Sequence, residues 1–229
     1  MRANRRYPQS RPPDRQLAAC ARIRHSVDMG LVDPGDLAEP NNWTGGWYEL
    51  AIELGQRDDE RLGHGLTMLW NLAGIQDCKA LVSRDPYRLV DAPLTTASLE
   101  QHQLLGAVRV PSSHKVVCAI TAVRGDNGPD WLDFGLPLGA LAWTDERIGG
   151  FPFDPDGGPA SLAWRSPIDD WMSSIALNIL HTLGLALALI GFEVLGQLRS
   201  EEVANQVPEP RHFGIVLPGA FPEYQAATA

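Results

Sequence analysis

Two apolar periods stand back to back in residues 47–70, and this juxtaposition restricts the fold more than any other feature of the chain. Over 47–54 (WYELAIEL), Tyr48, Leu50, Ile52 and Leu54 alternate with Glu49 and Glu53, the two-residue period of a half-buried strand. Gly55 is expected to end it. Asp58 or Asp59 then caps a helix whose Leu62, Leu66, Leu69 and Trp70 fall on one side, while its acids sit at the positive end of the helix dipole. Gly63 and Gly65 weaken that helix by about 1 kcal/mol each relative to Ala.

The rest of the chain extends the pattern. A short strand is expected around 79–82, followed by a proline-interrupted loop. Three strand patterns follow at 104–110, 115–124 and 131–141, joined by PSSH (111–114) and the turn-rich GDNGPD (125–130), so they read as an antiparallel meander. Residues 144–165 hold too many breakers for regular structure, among them Gly149-Gly150 and DPDGGP (154–159). Ser166-Pro167 then supplies a cap and a first-turn proline. Ile168, Trp171, Met172, Ile175, Ile179 and Leu183 trace one face of the helix that follows, and Gly184 closes it. The nearly unbroken apolar run 185–195 reads as a strand covered on both faces, and 212–217 as a last strand ending at Pro218-Gly219. The expected class is α+β: one mixed, mainly antiparallel sheet with two helices packed on one face. Residues 1–42 are expected to be a disordered or loosely ordered arm, 43–218 a single domain, and 219–229 a tail. A folded part of about 175 residues buries about 70% of its unfolded surface.

Charge divides the chain. Residues 1–24 carry seven Arg against Asp14, a net of +6, whereas 25–229 carry 12 Lys and Arg against 27 Asp and Glu, a net of −15. An acidic body repels phosphate backbones and anionic lipid and favours a basic protein surface or a cation. Nucleic acid is expected to engage only the arm, and only if the arm is translated; Met29 is a candidate natural start. Leu17-Ala18-Ala19-Cys20 has the form of a lipoprotein cleavage site, but the residues before it lack an apolar segment. The apolar stretch 175–192 contains Asn178, His181 and Thr182, which fit a helix and strand better than a membrane span. Three cysteines with no close spacing, Cys20, Cys78 and Cys118, accord with a reducing, cytoplasmic location and give no zinc motif.

No linear motif fixes a reaction, so catalytic residues, metal and cofactor are all left unassigned. The six histidines form no ligand pair, and Gly63-His64-Gly65 lacks the third glycine of a dinucleotide loop. Asp154 and Asp156 resemble part of a calcium loop without its bidentate Glu. With Asp126, Asp130 and Asp133 they are expected to form one acidic rim if the two loops share a sheet end. Alternation places Trp131 and Asp133 on one face and Leu132 and Phe134 on the other. An Asp133 exposed beside Trp131 suits an incoming Arg or Lys. Glu193, in or just past the buried run, either carries a raised pKa or reaches water and Arg199. The binding candidates are therefore Trp131, Asp133, Asp130, Asp154, Asp156 and Glu193. The leading expectation is a non-catalytic acidic interaction module, inhibitor- or immunity-like by class analogy, that engages a basic partner. Its rival is a small hydrolase or transferase whose acids converge near Asp133 and Glu193.

Overall fold

The computed structural model describes residues 32–84, 87–125, 128–145, 147–148, 158–203, 207–220 and 222–228. Its strands are β1 (Trp47–Gln56), β2 (Gln76–Arg84), β3 (Tyr87–Asp91), β4 (Leu104–Arg109), β5 (Lys115–Arg124), β6 (Pro129–Pro137), β7 (Leu187–Phe192), β8 (Gly214–Val216) and β9 (Tyr224–Gln225). Its helices are α1 (Asp59–Ala73), α2 (Thr96–Gln101), α3 (Leu138–Leu141), α4 (Gly158–Leu183) and α5 (Ser200–Val203). Together they form an α+β fold around one nine-stranded sheet ordered β3-β2-β4-β5-β6-β1-β7-β8-β9. Each strand pairing is antiparallel rather than mixed. The physical reason is connectivity: hairpins join β2 to β3, β4 to β5 and β5 to β6, and the helical excursion through α4 returns β7 beside β1 in the opposite direction.

β1 organises the interior. Tyr48, Leu50, Ile52 and Leu54 are fully buried on its first face and share one apolar cluster with Leu62, Leu66 and Leu69 of α1 and with Ile168, Met172, Ile175 and Ile179 of α4. Each such side chain contributes about 2 kcal/mol by leaving water. The Asp58 side chain caps α1 by accepting from the Glu60 and Arg61 amides, both at 3.0 Å. Gly55 does not end β1. It takes φ +95° at a register shift in the β1–β6 ladder, and pairing resumes at Gly55 with Asp130 and at Gln56 with Pro129.

Several boundaries differ from the sequence pattern. β2 and β3 form a hairpin where one short strand was expected, and α2 follows within the proline-rich stretch. The meander's third strand stops at Pro137, and its last residues turn into α3. α4 starts at Gly158, so Ser166 lies inside it and donates its hydroxyl to the Leu162 carbonyl at 2.8 Å instead of capping. Pro167 is carried in the helix interior on the strength of tertiary packing: Trp164, Ile168 and Met172 on the same helix are buried. The folded unit is also wider than 43–218. Pro34 accepts the Val117 amide at 2.8 Å, Asn42 donates to the Asp33 and Asp36 carbonyls, and β9 pairs with β8.

The second face of β1 is also covered. Ala51 joins Trp131, Leu187, Leu189 and Ile215 in a second cluster closed by Val194, Leu195, Leu198 and Val203 from the segment after β7. The segment 193–203 is therefore a strap across the sheet's second face, and its burial decides the fate of the candidate residues. No helix among the described residues is long and apolar enough to cross a membrane.

Candidate interaction surface and the buried carboxylates

The candidates among the described residues do not all meet in one site. Asp154 and Asp156 lie outside the described residues, as does Asp126. Trp131 is 6% exposed and Asp133 9% exposed, which overturns the expected exposed pair: the face that alternation marks as polar lies under the strap. Asp130 is buried too. It sits opposite Gly55 at one end of β1, whereas Glu193 is exposed at the other end, where its amide donates to the Trp47 carbonyl at 3.0 Å. Along an extended strand, eight residues from Trp47 to Gly55 separate these ends by about 27 Å.

Around Asp130 the structure builds an acidic end of the sheet. Arg124, whose side chain is only 7% exposed, holds Asp130 through Nε and Nη2 at 2.9 Å each, and reaches Asp59 at 2.7 Å and Glu100 at 2.6 Å. Asp130 also accepts the Asp58 amide at 2.9 Å. Burial opposes the charge of Asp130, yet the guanidinium and that amide outweigh it and hold its carboxyl below the usual range. One buried cation thus fixes the relative positions of the α1 N-terminus, α2 and the β5–β6 turn. Asp58, Asp59, Glu60 and Glu100 remain exposed on this frame. Beside it opens a cleft of about 540 Å³, lined by Glu53, Gln56, Arg57, Pro129, Ser200 and Glu201, among others. Asp59 stands out in the sequence only as a helix-end acid, and no pattern singles out Glu60 or Glu100. The signal that marks this end is Arg124 at a strand terminus beside acid-rich turns.

Under the strap lie three more carboxylates. Glu49 accepts the Leu195 amide at 3.1 Å and that of Val194. Glu53 accepts both the Ser200 amide at 2.9 Å and the Ser200 hydroxyl at 2.6 Å. Asp133 receives only Thr121 Oγ1, at a long 3.4 Å, and its Oδ1 has no partner among the described residues. Burial, then the charge of Glu49, push the Asp133 carboxyl well above the ordinary carboxylate range. Burial also raises Glu49, the Leu195 and Val194 amides oppose that, and the charge of Glu193 adds to it. Strand alternation alone puts Glu49 and Glu53 on a solvent-facing side. Apolar Val194, Leu195, Leu198 and Val203 at the end of the apolar run were the available hint that something covers them.

A third polar cluster lies on the first face beneath α4. The Tyr48 hydroxyl donates to Asp169 Oδ1 and receives Arg165 Nε at 3.1 Å, while Arg165 Nη2 donates to the His212 carbonyl at 2.5 Å. Burial raises the Asp169 pKa to about 6 despite the Tyr48 hydrogen bond and the nearby guanidinium. This cluster ties β1, α4 and the segment before β8 together, so its evident work is structural. Among the described residues no group of three or more His, Cys, Asp or Glu is arranged to hold a metal ion.

Compared with protein-family models, with characterised proteins and with solved structures, the chain matches none.

Proposed function

We propose that this protein is a recognition module that works in the cytoplasm, with the acidic end of its sheet docking a basic surface on a partner protein. The observation that carries this reading is the way Arg124 is spent: it is buried among Asp130, Asp59 and Glu100 rather than presented outward. Over 32–229 there are 12 basic and 26 acidic side chains, a net of −14. Among the basic ones, Lys79, Arg147 and Arg211 are paired with Asp91, Asp145 and Glu209. The outward charge is thus dominated by carboxylates, and at the α1 end they stand on rigid elements around a cleft. That is a preorganised anionic surface, suited to steering and registering a cationic patch.

The test is binding to a basic folded protein of pI above about 9, titrated from low to physiological salt. Reversing Asp58, Glu60 and Glu201 to Lys should weaken binding at least about tenfold at low salt and flatten its salt dependence. Equal binding by that variant would defeat the proposal.

A second reading, a small hydrolase or transferase, has one observation in its favour. Glu49 stands between Asp133 and Glu193 and feels the charge of the latter, so the two predicted acids are linked through a third carboxylate. An acid that holds its proton beside one that is ionised is the arrangement general acid–base chemistry uses. Three clefts among the described residues are lined by other residues. Turnover of an ester or glycoside substrate that is lost in Asp133→Asn but kept in Arg124→Lys would favour this reading over the first.

A further inference from the structure

We propose that the strap 193–203 is a proton-gated cover: it stays closed while the Asp133–Glu49 pair holds a proton and loosens when both carboxyls are ionised. Glu49 pairs with Gly135, and Asp133 with Ala51, so the two acids are diagonal neighbours on adjacent strands, within reach of each other on the second face. Beyond Glu193, whose amide donates to the Trp47 carbonyl, the strap is fastened to this face through carboxylates of β1, the Val194 and Leu195 amides on Glu49 and Ser200 on Glu53. Its apolar side chains, Val194, Leu195, Leu198 and Val203, close over Ala51 and Trp131.

Among the described residues the charges acting on the pair are one-signed, and the strap's Arg199 is exposed. From β1 comes Glu53, held by Ser200; from the strap comes Glu193, acting on Glu49; from β5 comes only the Thr121 hydroxyl, and β7 presents Leu187, Leu189 and Gly191. The sense of the gate follows. Closing the strap strips water from both carboxyls, which favours their neutral form, so the closed state binds a proton more tightly than the open one. The Val194 and Leu195 amides favour an ionised Glu49, which leaves Asp133 as the proton's seat. Asp133 fits that part because, among the described residues, its Oδ1 has no donor to compensate a negative charge. Raising the pH removes the proton, leaves two buried like charges side by side, and favours the strap-open state in which water reaches both. For each unit by which the closed-state pKa exceeds the open-state one, opening grows about tenfold.

Amide hydrogen exchange on the full chain tests this, with rates expressed as protection factors so that intrinsic base catalysis cancels. Between about pH 5 and about pH 9, spanning the range above an ordinary carboxylate, protection of the Leu195 and Ser200 amides should fall at least about tenfold. That of Ile52, in the first-face core, should fall less, following only the global loss of stability linked to Asp169. In Asp133→Asn, which mimics the protonated acid, the fall should disappear. PH-independent protection of Leu195 in the wild type would overturn the proposal, as would an undiminished fall in the variant. If Asp133→Asn does not fold, the ¹³C shift of the Asp133 carboxyl in the wild type decides. A midpoint coincident with the loss of Leu195 protection supports the gate, and an ordinary acidic midpoint refutes it.

Discussion

Replacing Arg124 with Ala is the sharpest probe of the frame that carries the acidic end. The side chain makes ion pairs of unequal worth. Asp59 is 77% and Glu100 44% exposed, so each of those contacts is screened and contributes under about 1 kcal/mol. The Asp130 side chain is 2% exposed, and without Arg124 it keeps the Asp58 amide and the weaker influence of the Arg57 charge. Stranding a buried charge in this way costs about 3–5 kcal/mol. For a domain of this size, with a Tm that moves about 2–4 °C per kcal/mol, the melting point should fall by about 10 °C. Urea denaturation and calorimetry of Arg124→Ala, Asp59→Ala and Glu100→Ala measure the three costs side by side. The double variant Arg124→Met/Asp130→Leu should recover much of the loss, because both charges then leave together. If Arg124→Ala proves no more costly than Asp59→Ala, the claim that one buried cation organises this end is wrong.

Other consequences follow from the same geometry. Asp169 has its pKa raised to about 6, so its contribution to stability is complete below its unfolded value of 3.8 and fades as pH rises through about 6. A pH series of urea midpoints should show that decline of up to about 3 kcal/mol in the wild type and not in Asp169→Asn. Asp130 has the opposite sign: its carboxyl is held low, so its stabilisation is present above the unfolded value of 3.8 and is lost as acid protonates it, a limb that Asp130→Asn should flatten. At Gly106 an added Cβ would lie 2.4 Å from Ile75 Cγ2 and 2.9 Å from the Gln76 carbonyl oxygen, so Gly106→Ala should cost about 1–3 kcal/mol by denaturation. Met172, fully buried on the core-facing side of α4, should cost about 2–5 kcal/mol on truncation to Ala, measured the same way.

What the chain announces and what it conceals divide along a physical line. The β1 alternation, the Asp58 cap and the Leu62–Leu66–Leu69 stripe could be read directly because strand, cap and helix period are local properties, and each recurs in the structure. The first turns of α4 could not. Gly158, Pro159 and Pro167 argue locally against helix, and only the burial of Trp164 and Ile168 against β1 and its neighbours overrides them. β9 is two residues long and exists through its pairing with β8. At the site the failure is of another kind. Alternation tells which residues share a face of the sheet but not what lies on that face. Glu49, Glu53 and Asp133 therefore read as solvent-facing, although Val194, Leu195, Leu198 and Val203 fold back to cover them. Asp130 and Glu193 looked like parts of one surface until the register set them at opposite ends of β1.

The central claim, that a basic partner docks on the Arg124 end of the sheet, is tested most directly by a hydrogen-exchange footprint. The protein is saturated with a basic folded protein at low salt, and exchange is compared with that of the free protein. The account predicts new protection at 56–61, 98–101, 128–130 and 200–202, abolished by physiological salt and absent from 87–91 and 208–212. Protection spread evenly over the acidic surface, or confined to the opposite end near Glu193, would contradict it.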